Sequence, residues 1–445
     1  MSSDLLSIGK AGVRVARAAL DVTSNNIANA SSAGYVRRSV TVQEVSGGSS
    51  LSTPGAINLA GARITGIVRN ADVFRQSEVR RTGSDAARAS AEVQGLENVE
   101  AALEQTGVYP SIVALEGSLQ QLLSDPTDGS LRAQVVEDGR TMAQTFNTAA
   151  QSLTAAAKGL QFDAQDGVSQ VNRTAAELAR VNLRLMRSGD ASSDQSALLD
   201  QRDGLLQQLG EHADITTTIN PDKTVTVTLG GPTGATLVSG ATTQALAMGT
   251  AADGTLSFTV NTQPVTLGSG AIAGKAQALV ELSGARTALD GIAAQIVTTL
   301  NAAQATGVDL QGNAGQPMFS GTDAASIALV ANGGGAIATA PAGAGANSRD
   351  VSNLAAMRTA FAAADPAGAM DTLLFSVSSA VAGRTVTRDA LASIASSAKV
   401  SLQAQAGVNL DDEAVNLVRF QQAYQASARV MQTASDIFDS ILAIR

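Results

Sequence analysis

The two ends of this 445-residue chain are amphipathic, heptad-patterned segments, and they constrain the fold more than anything between them. Chain termini usually fray and carry little pattern. Here Leu6, Val13, Leu20 and Ile27 stand seven apart, with Leu5, Ile8, Gly12, Val15, Ala19 and Val22 forming a second seam beside them. The polar residues Ser7, Lys10, Arg14, Arg17, Asp21 and Ser24 recur in steps of three and four, so a helix gathers them into one narrow stripe. A helix that is apolar around most of its girth is built to be covered. The same pattern also suits a helix buried within one globular domain.

The other end has a regular seam. Ala414, Leu417, Gln421, Tyr424, Ala428, Met431, Ser435, Phe438 and Leu442 follow the three-four alternation of a coiled coil, and Asp412, Glu413, Arg419, Arg429, Asp436 and Asp439 lie off it. Asn409 is placed to cap the helix, and Asp411, Asp412 and Glu413 complement its positive end. Sustained heptads at both termini predict that these helices pair with each other, with neighbouring copies, or with both.

Between the ends the pattern is mainly helical. Residues 36–70 read as an extended linker, with a β-prone stretch from Ser39 to Glu44, a Gly/Ser loop from Ser46 to Pro54, and Ile64, Ile67 and Val68 beyond it. Helices are predicted over 71–105, over 131–186 with a break near Gly159 or Gly167, over 194–209, around Leu282, Leu289 and Ile296, and over 348–363 and 369–405. Strict alternation at Ile215, Thr217 and Ile219, then at Val225, Val227 and Leu229, flanks a turn and predicts a hairpin. Leu256, Phe258 and Val260, then Val265 and Leu267, predict a second strand pair. The expected fold is mainly α with an inserted β domain at 213–273. A helical domain is built from 71–212 and 274–407 with an irregular Gly-rich loop at 307–347, and residues 1–35 and 408–445 pair as terminal helices.

Composition narrows the function classes. The formal net charge of −9 is spread without long blocks, which argues against a nucleic-acid surface. There are no cysteines, so thiolate chemistry and disulfides are out. The start, Met1-Ser2-Ser3-Asp4, lacks the basic region and apolar core of a cleaved signal peptide. The uncharged stretch 324–348 is interrupted by Gly333, Gly334, Gly335 and Pro341, which makes it loop material; no membrane insertion is expected.

No catalytic constellation emerges. His212, the only histidine, sits beside Glu211 and Asp214 with no second histidine or cysteine to complete a metal set. Gly333 to Gly345 lacks the Gly-Lys-Ser/Thr of a phosphate loop. Asp200-Gln201-Arg202-Asp203 reads as a solvated face or a domain-packing network. Asn29-Ala30-Ser31 and Asn172-Arg173-Thr174 match a glycosylation pattern that is common by chance. The expectation is a non-enzyme without cofactor or metal.

Two segments carry a family resemblance. Ser24-Asn25-Asn26-Ile27-Ala28-Asn29-Ala30 followed by Gly34-Tyr35, and Val408-Asn409-Leu410-Asp411-Asp412-Glu413 with Asn416-Leu417-Val418-Arg419-Phe420-Gln421-Gln422-Ala423-Tyr424, are similar to the terminal signatures of bacterial flagellar axial proteins of the rod, hook and hook-filament junction. Within that group Leu198-Leu199-Asp200-Gln201-Arg202-Asp203, Gly307-Val308-Asp309-Leu310-Gln311-Gly312 and the ending Asp436-Ile437-Phe438-Asp439-Ser440-Ile441-Leu442 resemble the junction proteins. Relatives place Thr-Pro before the Gly-Tyr where this chain has Ser32-Ala33; that loosens the turn, while Gly34 still permits a positive backbone angle.

The resemblance implies a radial plan of outer β knob, helical middle and paired-helix root. It implies a structural subunit at the junction of hook and filament, located outside the cell and exported by the flagellar type III route. Its partners would be copies of itself, the hook protein, a second junction protein and a cytoplasmic export chaperone. The expected assembly residues are Leu5, Leu6, Val13, Leu20, Asn25, Asn26, Ile27, Asn29, Gly34, Tyr35, Leu410, Leu417, Phe420, Gln421, Tyr424, Met431, Phe438 and Leu442. The chaperone would cover Leu417, Tyr424, Met431 and Phe438, an apolar seam that is hazardous when exposed. Residues 1–32 and 410–445 are expected to be loosely ordered in the free subunit and to fold on assembly. The alternatives are another axial protein, from hook or distal rod, or a secreted adhesive module using the Thr-rich β insertion.

Overall fold

A computed structural model of the chain describes residues 2–32, 34–46, 59–189 and 192–443. Apart from Ser46, the predicted loop from Ser46 to Pro54 lies outside the described residues. Helices dominate, and the strands form small antiparallel sheets. Helix α1 (Ser2–Ala28) is followed by a hairpin of β1 (Arg38–Ser46) and β2 (Leu59–Arg69). Helices α2 (Val73–Glu104), α3 (Val108–Leu122), α4 (Gly129–Leu185) and α5 (Ser193–His212) come next. Strands β3 (Ile215–Ile219), β4 (Val225–Leu229), β5 (Ala235–Ser239) and β6 (Thr242–Thr243) form one sheet in chain order, and β7 (Leu246–Thr250), β8 (Leu256–Val260) and β9 (Gln263–Val265) form another. Helix α6 (Ala271–Ala305), a loop region, α7 (Ser352–Ala364), α8 (Pro366–Ala406) and α9 (Leu410–Ala443) complete the order.

The chain divides into two compact units. One comprises Met1–Ser84, Val171–Ala245 and Ala392–Arg445, and the other Asp85–Gln170 and Leu246–Leu391. The division falls inside α2, α4 and α8. This differs from the expected single β insertion at 213–273, because the two sheets belong to different units and are tied to different stretches of α4. In the first unit the buried Asn182 amide donates to the carbonyls of Val225 and Gly240, each at 2.9 Å, and accepts from the Val225 amide at 3.1 Å. In the second, Gln161 Nε2 donates to the Gly254 carbonyl at 3.0 Å.

The second unit holds an aliphatic core. Leu115 and Leu119 of α3, Phe146 and Leu153 of α4, Leu289, Ile296 and Leu300 of α6, and Met357 and Phe361 of α7 are fully buried in one cluster. Helix α4 runs 57 residues without the expected break near Gly159 or Gly167. A helical glycine costs only about 1 kcal/mol, which packing along the rest of the helix outweighs. The Gly-rich loop contains short two-residue ladders pairing 307–308 with 340–341 and 319–320 with 328–329. It is fastened by buried Arg132, whose guanidinium donates to the carbonyls of Gly334 and Ile337 at 2.9 and 3.0 Å and to Thr339 Oγ1 at 2.7 Å.

Candidate assembly interface

The terminal helices pair in an antiparallel manner within the first unit. Gly9 and Gly12 set how closely they approach. A Cβ at Gly9 would lie 2.7 Å from Met431 Cγ, and one at Gly12 would lie 2.6 Å from Ser427 Oγ. The β1–β2 hairpin covers a second side of α1, with Gly61 over Ile8 and Ala11. Ala16, Ala19, Val22, Thr23 and Asn26 are buried as a result, and Val13, Leu20 and Ile27 are half-buried. The stripe of Ser7, Lys10, Arg14, Arg17, Asp21 and Ser24 stays exposed. Residues 38–46 and 59–69 of the expected linker 36–70 are therefore paired strands packed on α1.

Helix α9 is covered on one side only. Among its described side chains Glu413 and Ala434 alone are fully buried, and Leu417, Phe420, Ser427, Ala428 and Met431 are half-buried. The covered strip thus runs through 413, 420, 427 and 434 together with Leu417, Ala428 and Met431 of the expected seam, while the expected Ala414, Gln421 and Ser435 are exposed. Leu410, Val415, Val418, Val430, Ile437 and Phe438 are exposed, Val415 at 69% and Phe438 at 53%, and Tyr424 is exposed at 39%. Leu5, Leu6, Asn25 and Gly34 are exposed as well. The Leu442 side chain lies outside the described residues. Of the four expected chaperone contacts, Leu417 and Met431 are half-covered and Tyr424 and Phe438 are free on the surface.

The signature asparagines divide their work. Asn25 donates to the Asp21 carbonyl and Asn29 to the Asn25 carbonyl, finishing the last turns of α1. Asn26 reaches across to the start of β1: its Nδ2 donates to the Arg38 carbonyl at 2.9 Å, and its Oδ1 accepts from the Arg38 amide at 3.0 Å and from the Tyr35 hydroxyl at 2.9 Å. Gly34, at φ 77°, turns the chain between them, a backbone that a Cβ disfavours. Ala33 lies outside the described residues. Asn409 caps α9 through the Asp411 amide at 3.0 Å.

Two consecutive arginines at the root of β1 go to different helices. Arg37 Nε pairs with Glu413 of α9 at 2.6 Å, leaving that carboxylate 2% exposed. Arg38 lies over the Tyr35 ring, 5.0 Å from its centroid, and pairs with Asp200 of α5 at 2.9 Å. Arg69, on the partner strand, bridges Asp200 at 2.7 Å and Asp203 at 2.8 Å. Arg202 pairs with Asp203 at 2.7 Å and donates to the Lys223 carbonyl at 2.7 Å. Gln76 of α2 adds a bond to Asp203 at 3.0 Å. The motif at 200–203 is thus a packing network that fastens the hairpin to α5, one of the two readings the sequence left open.

Its two carboxylates respond oppositely to the site. Burial raises the Asp200 pKa, and Arg69 and Arg38 offset that only in part. Burial is also the largest single influence on Asp203, but Arg202 and Arg69 together hold its carboxyl below the ordinary carboxylate range. The aspartates were visible as a motif, whereas Arg38 and Arg69 come from more than a hundred residues away. The arrangement ties the hairpin strands to α5 and α2 through ion pairs and a hydrogen bond, so its role is positional.

His212 is the last residue of α5. Among the described residues no group of three or more His, Cys, Asp and Glu side chains could hold a metal ion, and no helix is long and apolar enough to cross a membrane.

Three family descriptions match the chain. The flagellar hook-associated protein FlgK helical domain matches residues 93–319, just over half of the sequence. The flagellar basal body rod FlgEFG protein C-terminal matches 403–444, and the flagella basal body rod protein matches 13–35. Among curated relatives, flagellar hook-associated protein 1 of Salmonella typhimurium is 26% identical over 336 residues, covering 72% of this chain and 59% of the relative. That match leaves out more than a third of the Salmonella protein's length. The protein of the same name from Escherichia coli is 24% identical, with the alignment covering 100% of both chains, and that from Bacillus subtilis is 23% identical over 98% and 97%. Among solved structures, the flagellar hook junction protein FlgK from Burkholderia pseudomallei aligns with a TM-score of 0.49 at 22% identity, covering 54% of this chain and 46% of that one. Matched over its helical middle as well as at both ends, the chain belongs to the flagellar hook-associated protein FlgK family.

Proposed function

We propose that this chain is a structural subunit of a bacterial flagellum, placed at the junction between hook and filament and assembled through its terminal helices. The observation that carries the reading is the helix pair. Helix α1 is covered on two sides by its own chain, and α9 is left with an apolar face in water. Exposed apolar surface of this extent marks an interaction site, and burying it at about 25 cal/mol per Å² supplies association free energy, less the ordering cost. The terminal matches alone fit any rod or hook protein; the match over 93–319 supports the junction.

In this reading the neighbours are further copies of the chain, the hook protein on one face and a second junction protein on the other. The subunit leaves the cell through the flagellar export channel. A cytoplasmic chaperone shields α9 before export, at Tyr424 and Phe438 directly and at Leu417 and Met431 if the helix pair opens. Order in α1 and α9 is completed on assembly, since α9 alone buries too little to be stable. The test of function is a strain lacking the gene. It should keep its hooks and shed flagellin into the medium; normal filaments would contradict the reading. Removal of residues 408–445 should abolish chaperone capture in a pull-down, and retained capture would place that site elsewhere.

A further inference from the structure

In a chain of net charge −9, the polar face of α1 that its own fold leaves open carries Lys10, Arg14 and Arg17 within two turns, with exposed Asp21 one turn further on. All three are exposed and, among the described residues, make no ion pair. The open face of α9 has the opposite character at its C-terminal end, where Asp436 and Asp439 are exposed and unpaired among the described residues, with Ile437 exposed between them. These two surfaces do not meet within one chain. Gly12 faces Ser427 and the helices run antiparallel, so Arg14 and Asp439 are separated by about 20 Å along the axis at roughly 1.5 Å per residue.

We propose that the Lys10–Arg14–Arg17 stripe of α1 receives the C-terminal turns of α9, at Asp436 and Asp439, from a second copy of this chain. Charge complementarity selects that occupant: opposite charges lie on the two faces the fold leaves uncovered, and like faces repel. The aliphatic stems of the lysine and arginines cover Ile437 while their heads reach the carboxylates. Repeated in one direction, the contact is head-to-tail and propagates around a ring or along a helix; made reciprocally it would close a twofold dimer, which the cross-linking pattern below tells apart. The inference rests on the self-assembly proposed above and adds its register and partner face.

The chain has no cysteine, so a designed pair reports cleanly. A full-length chain carrying Arg14→Cys and Asp439→Cys is expressed in the deletion strain, flagella are purified, and a short bis-maleimide is added. A ladder of cross-linked multimers is expected, with neither single variant giving more than monomer. Chain present in the flagella but free of multimers overturns the inference; wild-type chain absent from purified flagella overturns the proposed function along with it. A second variant guards against a cysteine effect on folding. Lys10→Glu, Arg14→Glu and Arg17→Glu together should lower incorporation by about tenfold with unchanged helical circular dichroism. Adding Asp436→Lys and Asp439→Lys to the same chain should restore it. Failure of that restoration, in a chain whose circular dichroism is unchanged, also overturns the inference.

Discussion

Helices α6 and α9 are nearly equal in length, 35 and 34 residues, and they are buried to very different degrees. Helix α6 buries Leu279, Leu289, Ile292, Ile296 and Leu300 in the core of the second unit. Helix α9 fully buries only Glu413 and Ala434 among its described side chains, while its valines, Ile437 and Phe438 stand in water. Apolar residues on α6 hold one chain together. On α9 they are left over after the chain has folded, and the proposed assembly draws on that surplus.

The comparison breaks most readily in the network that ties the hairpin over α1 to α5. Asp203→Asn removes the carboxylate between Arg69 and Arg202 and should cost about 3–5 kcal/mol in urea unfolding. The pH dependence follows from its lowered pKa. The contribution is complete above the unfolded carboxylate pKa, near 4, and is lost as pH falls through the folded value. The stability gap between wild type and Asp203→Asn should therefore stay flat from about pH 7 down to about 5 and narrow in acid. Asp200, raised by burial, has the opposite sign: its charged form costs stability once pH rises through its folded pKa.

Leu289→Ala comes next, at about 2–5 kcal/mol, because it leaves a cavity in a fully buried cluster. Gly12→Leu should cost about 1–3 kcal/mol by forcing Ser427 away, with the loss seen in amide exchange of α1 and α9 and not in α6. Smallest is Val418→Ala, on the open face of α9, which should leave the midpoint of unfolding within about 0.5 kcal/mol of wild type. A large effect there would mean that α9 is part of the folded core, and the contrast with α6 would fail.

Much of this contrast was legible in the chain. Periodicity located both terminal helices and marked the polar stripe that α1 leaves exposed. It placed Leu417, Ala428 and Met431 of α9 on the covered side but put Ala414, Gln421 and Ser435 there one position off, because residues 413, 420, 427 and 434 are no more apolar than 414, 421, 428 and 435. The Arg37–Glu413 pair and the glycine contacts at Met431 and Ser427 decide between them, and these exist only in three dimensions. Helix α3 went unread for a local reason: Tyr109-Pro110 looks like a stop, yet a proline in the first turn gives up no helical hydrogen bond. The motif at 200–203 was visible as acids beside an arginine, but not that its partners Arg38 and Arg69 lie on the hairpin.

The central claim is that the open face of α9 is an assembly surface. Hydrogen exchange on the free chain and on purified flagella tests it most directly. The account predicts that amides of 410–443 exchange much faster than those of 271–305 in the free chain and become protected in flagella, while 271–305 is unchanged. Equal protection of the two helices in the free chain, or no gain in α9 on assembly, would contradict it.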